Sequence, residues 1–221
     1  MARVKTDRAA GQSTSARGYH HGNLRQALLE AALELARRHG PGGVSVREAA
    51  REVGVSPGAP FRHFPSRRAL MTALAEEAGE RLRIEVRKSI GGRRASPLQR
   101  LRSLGRGYLQ WATRHPSHFQ IVSARDQIDL DGSVALRASI GEVRALTEQT
   151  LAEAQQQGEV DAVHDVAALA LLSRATAYGL ARMQLDGHLG QWGVAAGDEA
   201  AAMTNTLDLL ITLMRRPPVP R

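Results

Sequence analysis

The chain contains no cysteine, which excludes disulfide bonds, cysteine-ligated zinc and thiol catalysis. No segment alternates apolar and polar residues as a strand with one solvated face does. The longest unbroken apolar run, Val166 to Leu172, is too short to cross a bilayer. Met1 to Gly18 is basic and lacks the apolar stretch of a signal peptide. We therefore expect an all-α, cytoplasmic protein without a membrane segment.

Acidic residues are scarce in the first part of the chain. Residues 1–94 carry 18 Lys and Arg against 9 Asp and Glu, whereas residues 95–221 carry 12 against 13. The first part therefore has a net charge of +9 and the rest a net charge of −1. Such one-sided basicity indicates a polyanionic partner for the N-terminal part. The alternative is a solvated basic face, but such faces usually mix both signs.

Helical periodicity is clear in the basic part. The apolar spacing in "NLRQALLEAALELARRHG" predicts a first helix, which Gly40 ends. The following "GPGG" comes after a helix and lacks a P-loop lysine, so it is a turn and not a nucleotide cradle. Ser45 and Glu48 form a candidate capping box at the start of a second helix, "VREAAREV".

The stretch "GVSPGAPFRHFPS" holds three prolines and two glycines between helical runs. It predicts a very short helix with Ser56 as N-cap and Pro57 at the first position, and a long helix that begins near Ser66. Two short helices joined by a tight turn are typical of a helix-turn-helix, whose second helix enters the DNA major groove. Gly58 and Ala59 would let the backbone approach the duplex closely.

Four basic side chains follow these small residues. Arg62 and His63 can reach phosphates or base edges, and Arg67 and Arg68 can clamp a flanking phosphate. A helix-turn-helix pattern alone is weak, because many helical enzymes contain one. The charge asymmetry strengthens the interpretation as a DNA-binding unit.

The segment Tyr19 to Leu70 resembles the N-terminal domain of the TetR/AcrR family of transcriptional regulators, including its "GVS", its "HF" pair and its "PS-basic-x-x-L" helix start. The resemblance implies a homodimer of all-helical subunits, each with a three-helix DNA-binding domain and a C-terminal domain that binds a small molecule and dimerises. Phe61 stands where the family often has tyrosine, and Asn23 where it often has aspartate. The DNA contacts that the resemblance implies are Ser45, Arg47, Ser56, Pro57, Gly58, Ala59, Phe61, Arg62, His63 and Arg67.

The C-terminal part is also helical by pattern. Ser96 and Gln99 form a capping box that opens a helix to about Arg114. Further helices are predicted over Pro116–Ala124, Ser133–Gln157, Val163–Gly187 and Asp198–Met214. "YLQWATRHPSHFQIVSA" resembles a corner of the subgroup named after a Trp-His-Gly motif. Arg174 and Tyr178 replace the Trp and His of that motif, which leaves only Gly179.

An aromatic and apolar set in this part could line a ligand cavity, or it could simply be core. His115 and His118 have helix-like spacing but no fixed third ligand, so we expect neither a metal nor another cofactor. Arg174 lies in an apolar helix, so we expect it to be buried and to pair with a carboxylate or an anionic ligand. The candidate ligand-binding residues are Tyr108, Trp111, His115, Phe119, Val122, Arg174 and Tyr178.

The last predicted helix is apolar over much of its circumference, so one face is available to a partner helix. One line of it carries Leu209 and Leu213. A homodimer would place two recognition helices on one side of the duplex, at a near-palindromic operator. The candidate dimer-interface residues form the other line, Met203, Leu207, Leu210 and Met214.

These observations predict a ligand-responsive transcriptional regulator, with repression as its expected mode and double-stranded DNA and a small-molecule effector as partners. Two alternatives remain open. One is an architectural DNA-binding protein without effector, and the other is a helical enzyme with an incidental helix-turn-helix. No paired acid and base, nucleophile or metal cluster appears at usable spacing, so we do not expect an enzyme. The expected organisation is a disordered basic arm (1–18), a DNA-binding domain (19–65), a ligand-binding and dimerisation domain (66–216) and an extended tail (217–221).

Overall fold

A computed structural model describes residues 24–90 and 95–217. The expected arm, Asn23 and residues 218–221 of the expected tail lie outside these ranges. Within them the chain forms α-helices and no strand, apart from an isolated bridge between Val160 and Arg215, which confirms the all-α prediction. The helices are α1 (Leu24–His39), α2 (Val46–Val53), α3 (Arg67–Ser89), α4 (Pro97–Arg114), α5 (Pro116–Ser123), α6 (Val134–Gln156), α7 (Val166–Leu185) and α8 (Glu199–Met214).

The first two helices follow the sequence pattern. The Ser45 hydroxyl caps α2 by accepting a hydrogen bond from the Glu48 N–H at 3.0 Å. The Glu48 carboxylate pairs with Arg51 on the next turn of the helix and not with the Ser45 N–H, so only the Ser45 half of the predicted capping box forms. Gly54 ends α2 in the left-handed conformation, with φ of 76°, where a side chain would be strained.

The third element differs from the predicted short α-helix. The structure has a turn followed by a 3-10 helix over Ala59–Arg62, with Gly58 in the N-cap position. Ser56 does not cap it through its side chain, but its carbonyl accepts from the Ala59 N–H at 3.1 Å. The physical reason is Pro60, which has no N–H to donate to the Ser56 carbonyl. The tighter 3-10 turn therefore replaces the α-helical one.

The boundaries of the C-terminal helices lie close to the predicted ones. The capping box at α4 is confirmed, with the Ser96 N–H donating to Gln99 at 2.9 Å and the Gln99 N–H donating back to Ser96 at 3.4 Å. Helix α7 starts later than predicted, at Val166, because the Asp165 side chain caps it by accepting from the Ala168 N–H at 2.9 Å.

One apolar core connects the two parts of the chain. It extends from Leu28 in α1 through Met71 in α3 and Phe119 in α5 to Leu207 in α8. Helix α3 contributes to it along most of its length and so links the N-terminal unit to the C-terminal helices. A second, smaller core, with Leu98 and others, lies between α4, α6, α7 and α8. The N-terminal unit therefore rests directly on the C-terminal bundle.

Candidate nucleic-acid interface and adjoining cavity

The turn and 3-10 helix present most of their side chains to solvent. Arg62 and His63 are exposed, as is Arg47 at the start of α2. Within the described residues, no carboxylate forms an ion pair with Arg47 or Arg62. Phe61 is 41% exposed, so its ring is not enclosed in the core. This surface is positively charged and free to receive an anionic partner.

Gly58 has an unusual position in this surface. Its backbone φ is −86°, which any residue adopts, and a Cβ added there would meet no atom within 4 Å. Nothing within the described chain therefore requires a glycine. Ser56 and Pro57 beside it are exposed, and Ala59 is half-buried. The small surface at Gly58 is available to a partner that approaches the backbone closely.

Two predicted contact residues have partners inside the protein. Ser45 is half-buried and caps α2, as described above. Arg67 is half-buried, and its guanidinium donates to the carbonyls of Pro41 and Val44 and to the side-chain oxygen of Gln127, each at 2.7 Å. The Nε and Nη2 donors of Arg67 are therefore used inside the protein, which leaves only its Nη1 group without a hydrogen bond among the described residues, and its role as a phosphate clamp stays a prediction.

The other predicted clamp, Arg68, is exposed and lies 3.3 Å from Asp129. Asp129 belongs to the segment between α5 and α6, residues 125–133, which we call the α5–α6 segment. The Asp129 backbone N–H donates to the Thr72 hydroxyl at 2.8 Å, and the Ser133 hydroxyl donates to Glu76 at 2.7 Å. The α5–α6 segment is thus fastened to the first turns of α3.

A cavity adjoins the start of the α5–α6 segment, at Arg125. It has two adjoining lobes of about 430 and 250 Å³, which share several lining residues. The larger lobe is lined by residues from α3, α4, α5, α6 and α7, and the smaller one by residues from α3, α4, α5 and α7. The shared lining residues are Leu82, Tyr108, Val122, Arg125, Leu171 and Arg174.

The structure brings all but one of the predicted ligand-binding residues to this cavity. Trp111, Phe119 and Tyr178 line the smaller lobe. Trp111 and Phe119 are almost fully buried, so they also serve as core, and their rings meet edge to face at 6.3 Å. The exception is His115, which is not a lining residue and lies at the junction of α4 and α5. The remaining predicted residues, Tyr108, Val122 and Arg174, line both lobes.

His115 instead contacts His118, with ring centroids 5.6 Å apart. His118 is buried, and this burial, with help from the positive charges of Arg81 and His115, lowers its pKa to about 4. His118 is therefore neutral at physiological pH. Among the residues that the structure describes, no group of three His, Asp or Glu side chains could hold a metal ion.

Arg174 is exposed, contrary to the expected burial. Its guanidinium donates to the Tyr108 hydroxyl at 2.7 Å and lies over the rings of Tyr108 and Tyr178, at 4.7 and 4.9 Å from their centroids. No described carboxylate forms an ion pair with it. The two tyrosines take the place of the expected carboxylate, because aromatic faces also attract a guanidinium.

Sequence reasoning missed Arg125. This residue follows α5 in a short 3-10 turn and lines both lobes of the cavity. Partial burial and the positive charge of Arg174 lower the pKa of its guanidinium. The run "ARDQID" has the composition of an ordinary polar loop, so only the folded chain shows where Arg125 lies.

The exposed apolar surface of α8 does not consist of the residues predicted for the dimer interface. Met203, Leu207 and Met214 are buried inside the subunit and Leu210 is half-buried, so they pack within the chain. The physical reason is that α8 packs on α4 and α7 through this line. The opposite line is exposed: Leu209 and Leu213 of α8 lie in solvent at 57% and 74% exposure, and Leu172 of α7 at 47%.

Family models match both parts of the chain. The model of bacterial regulatory proteins of the tetR family matches residues 28–74, and that of the tetracyclin repressor-like C-terminal domain matches residues 101–210. No curated protein matches the chain by sequence. None of the described helices is both long enough and apolar enough to span a bilayer.

Solved structures share the fold. A protein of unknown function from Rhodococcus sp. RHA1 is 27% identical, with a TM-score of 0.75 over 91% of this chain and 100% of that one. The ketosteroid transcriptional regulator KstR2 of Mycobacterium tuberculosis is 19% identical, with a TM-score of 0.65 over 95% and 100%. The TetR family regulator PfmR of Thermus thermophilus is 18% identical, with a TM-score of 0.67 over 84% and 97%.

Proposed function

Because this chain belongs to the tetR family of bacterial transcription regulators, with its DNA-binding helix-turn-helix domain, we propose that it is a repressor released from its operator by a small molecule. The observation that carries the proposal is the α5–α6 segment. Arg125 at its start lines the cavity, and Gln127, two residues later, binds Arg67 at the start of α3, which in turn binds the turn before α2. The subgroup named after Trp-His-Gly remains a proposal for the C-terminal domain.

The proposed DNA surface consists of Arg47, Gly58, Phe61, Arg62 and His63. Neither arginine forms an ion pair with a residue that the structure describes, and Gly58 would let the backbone approach the phosphates. Ser45, Ser56, Pro57 and Ala59 support this surface as cap and turn residues, and Arg67 holds the turn before α2 in place.

The proposed release mechanism uses the same hydrogen bonds. A ligand that moves Arg125 shifts the 3-10 turn to which Gln127 belongs, and the Arg67 guanidinium then loses or changes its bond to Gln127. Arg67 also binds the Pro41 and Val44 carbonyls, which precede α2. In this mechanism the displacement therefore reaches the proposed DNA surface through the Arg67 side chain. A ligand can shift the equilibrium only as far as its affinities for the two arrangements differ.

We further propose that two subunits associate through the exposed apolar line of α8 together with α7. Leu209 and Leu213 lie on α8, and Leu172, Ala175 and Gly179 of α7 are exposed or half-buried. The small residues permit close helix approach, and the leucines provide the apolar area that a partner would bury. A two-fold dimer then requires a near-palindromic operator.

The dimer proposal is tested by sedimentation at micromolar concentration. Leu213→Glu should yield monomers, because a charge would be buried in the interface. Val163→Glu is the matched control, since Val163 is similarly exposed, at 79%, but lies in the turn before α7. A dimeric Leu213→Glu protein would place the interface elsewhere.

The regulatory proposal is tested by selecting DNA from random pools with the purified protein. We expect enrichment of a near-palindrome with half-sites about one helical turn, or a multiple, apart. Metabolites that raise the melting temperature should then release this DNA in an anisotropy assay, since a specific ligand stabilises the folded chain by mass action. Selection without any enriched sequence would favour an architectural role instead. Transcription from a promoter that carries the selected site should fall in the presence of the protein.

A further inference from the structure

We propose that the cavity binds an amphipathic organic carboxylate, with the carboxylate group between Arg125 and Arg174 at the mouth and the apolar part of the molecule in the two lobes. This inference rests on the proposed function, because it names the chemical class of the effector.

The cavity contains positive charge that the protein itself does not neutralise. Arg125 and Arg174 both line the two lobes, and no described carboxylate forms an ion pair with either. Arg144 on the α6 wall differs, because Glu148 accepts its hydrogen bond at 2.7 Å. Partial burial and, after it, the positive charge of Arg174 lower the pKa of Arg125, so the two like charges lie near enough to repel each other. A bound anion would remove this repulsion.

The Arg174 guanidinium is held in place before any ligand binds. It donates one hydrogen bond to the Tyr108 hydroxyl and lies over two aromatic rings. Its other N–H groups remain for a ligand, since a guanidinium carries five donors. Burial raises the pKa of Tyr108, so its phenol keeps a proton that it can also donate. Pre-organised donors lose less entropy when the ligand binds.

The rest of the cavity is suited to an apolar group. Leu82, Val122, Ile140, Val143 and Leu171 line the larger lobe. The smaller lobe adds the Trp111, Phe119 and Tyr178 rings. Arg125, Leu171 and Arg174 are exposed, so the charged groups lie at the mouth and the apolar walls extend inward. The lobe volumes, about 430 and 250 Å³, fit a small organic molecule.

A carboxylate matches this arrangement in charge and geometry. A planar guanidinium binds a carboxylate through two parallel hydrogen bonds. One carboxylate presents two oxygens, one to each guanidinium, and the remaining positive charge stays with solvent at the exposed mouth. A phosphate monoester carries nearly two negative charges and a third oxygen, so it is the competing anion in the test below. An uncharged ligand of the same shape would leave the two guanidinium charges unpaired.

The test uses fluorescence of Trp111 in a Trp192→Phe background. Trp111 lines the smaller lobe, whereas Trp192 is 77% exposed and is not a lining residue, so the remaining signal reports on the cavity. The probes are decanoate, decan-1-ol and decyl phosphate, which share one apolar chain. We expect decanoate to bind about tenfold more tightly than decan-1-ol, the value of one charge-assisted hydrogen bond.

Two variants and a control locate the carboxylate. Arg125→Gln and Arg174→Gln should each weaken decanoate binding about fivefold to tenfold and leave decan-1-ol binding unchanged. Arg137→Gln removes the same charge from an exposed position of α6 that does not line either lobe, so it should change neither. Circular dichroism of each variant confirms that it is folded.

Three results would overturn the proposal. These are equal binding of decanoate and decan-1-ol, absence of saturable decanoate binding, and loss of decanoate binding in Arg137→Gln alone. Tighter binding of decyl phosphate, with the same loss in the arginine variants, would replace the carboxylate by a phosphate monoester. Operator affinity is measured separately by anisotropy. Decanoate binding without operator release would support the carboxylate site and contradict the ligand-responsive function.

Discussion

The basic residues of a helix-turn-helix are expected to contact DNA, but Arg67 forms hydrogen bonds inside the protein. We consider Arg67→Met, which keeps an unbranched apolar stem and removes every donor. The variant loses three hydrogen bonds of 2.7 Å, to Pro41, Val44 and Gln127. Hydrogen bonds to a charged group contribute about 1.5–3 kcal/mol each when buried, but these are partly solvated and not additive. We expect a total loss of about 2–4 kcal/mol in the free energy of unfolding.

For a chain of this size, that loss lowers the melting temperature by about 5–12 °C. Arg62→Met is the matched comparison, because Arg62 is exposed and has no ion-pair partner among the described residues. It should leave the melting temperature unchanged but reduce the slope of log affinity for DNA against log salt by about one unit. Arg67→Met should leave that slope unchanged. Calorimetry and anisotropy titrations at several salt concentrations measure both quantities.

The reasoning would be refuted by the opposite pattern. If Arg67→Met keeps its melting temperature and loses one unit of salt slope, the guanidinium contacts a phosphate and the three internal bonds do not persist in solution. A uniform loss of affinity with an unchanged slope would not conflict with the structure, because Arg67 orders the turn that precedes α2.

Three other predictions concern single positions. Gly58→Ala should fold with unchanged stability, since its Cβ meets no atom within 4 Å. It should lose operator affinity, because on the proposed DNA surface the methyl group faces the duplex. Equal affinity would show that Gly58 does not lie in the interface. Phe61→Tyr adds a hydroxyl that can donate to a phosphate, so it should tighten operator binding by about 0.5–1.5 kcal/mol without changing the ranking of DNA sequences. A destabilised protein whose binding does not improve would mean that the ring faces the core. The pKa of His118 is lowered from 6.5 to about 4, so the unfolded chain takes up a proton before the folded chain does as the pH falls. The free energy of unfolding should therefore decline below pH 6.5 and be about 2 kcal/mol lower at pH 5. If a His118→Gln protein shows the same decline, other groups cause it.

Local signals were sufficient to predict the helices. Capping residues and turn glycines fix each end through bonds between neighbours, so Ser96 with Gln99 and Gly54 gave the right boundaries. The prediction of a short α-helix at Ala59–Arg62 was wrong for an equally local reason. Pro60 removes the bond that would have made the turn α-helical, and the sequence pattern does not say whether the chain then forms an irregular α-turn or a 3-10 helix.

The side-chain partners of the arginines could not be predicted in the same way. Arg62, Arg67 and Arg174 are the same residue type, yet their surroundings differ. Arg62 has no ion-pair partner among the described residues, Arg67 binds carbonyls and Arg174 lies over tyrosines. The hydrogen-bond partners of Arg67 and Arg174 lie 23 to 66 residues away, so the assignment depends on tertiary packing. The dimer face shows the same limit. Both lines of α8 are apolar, and only the packing of α4 and α7 determines which line is covered.

The short distance between Arg125 and Gln127 gives the proposed coupling its physical basis. Both residues belong to one 3-10 turn, which the Gln127 N–H closes by donating to the Ala124 carbonyl at 2.9 Å. The next residue, Ile128, is 1% exposed and packed in the core, so the turn cannot relax freely towards solvent. In the proposed mechanism, a displacement of Arg125 by a bound anion is therefore passed to Gln127 instead of being absorbed between them. Gln127 accepts a hydrogen bond from Arg67 at 2.7 Å, and Arg67 binds the turn before α2, so in the proposed mechanism this 3-10 turn connects the cavity to the proposed DNA surface.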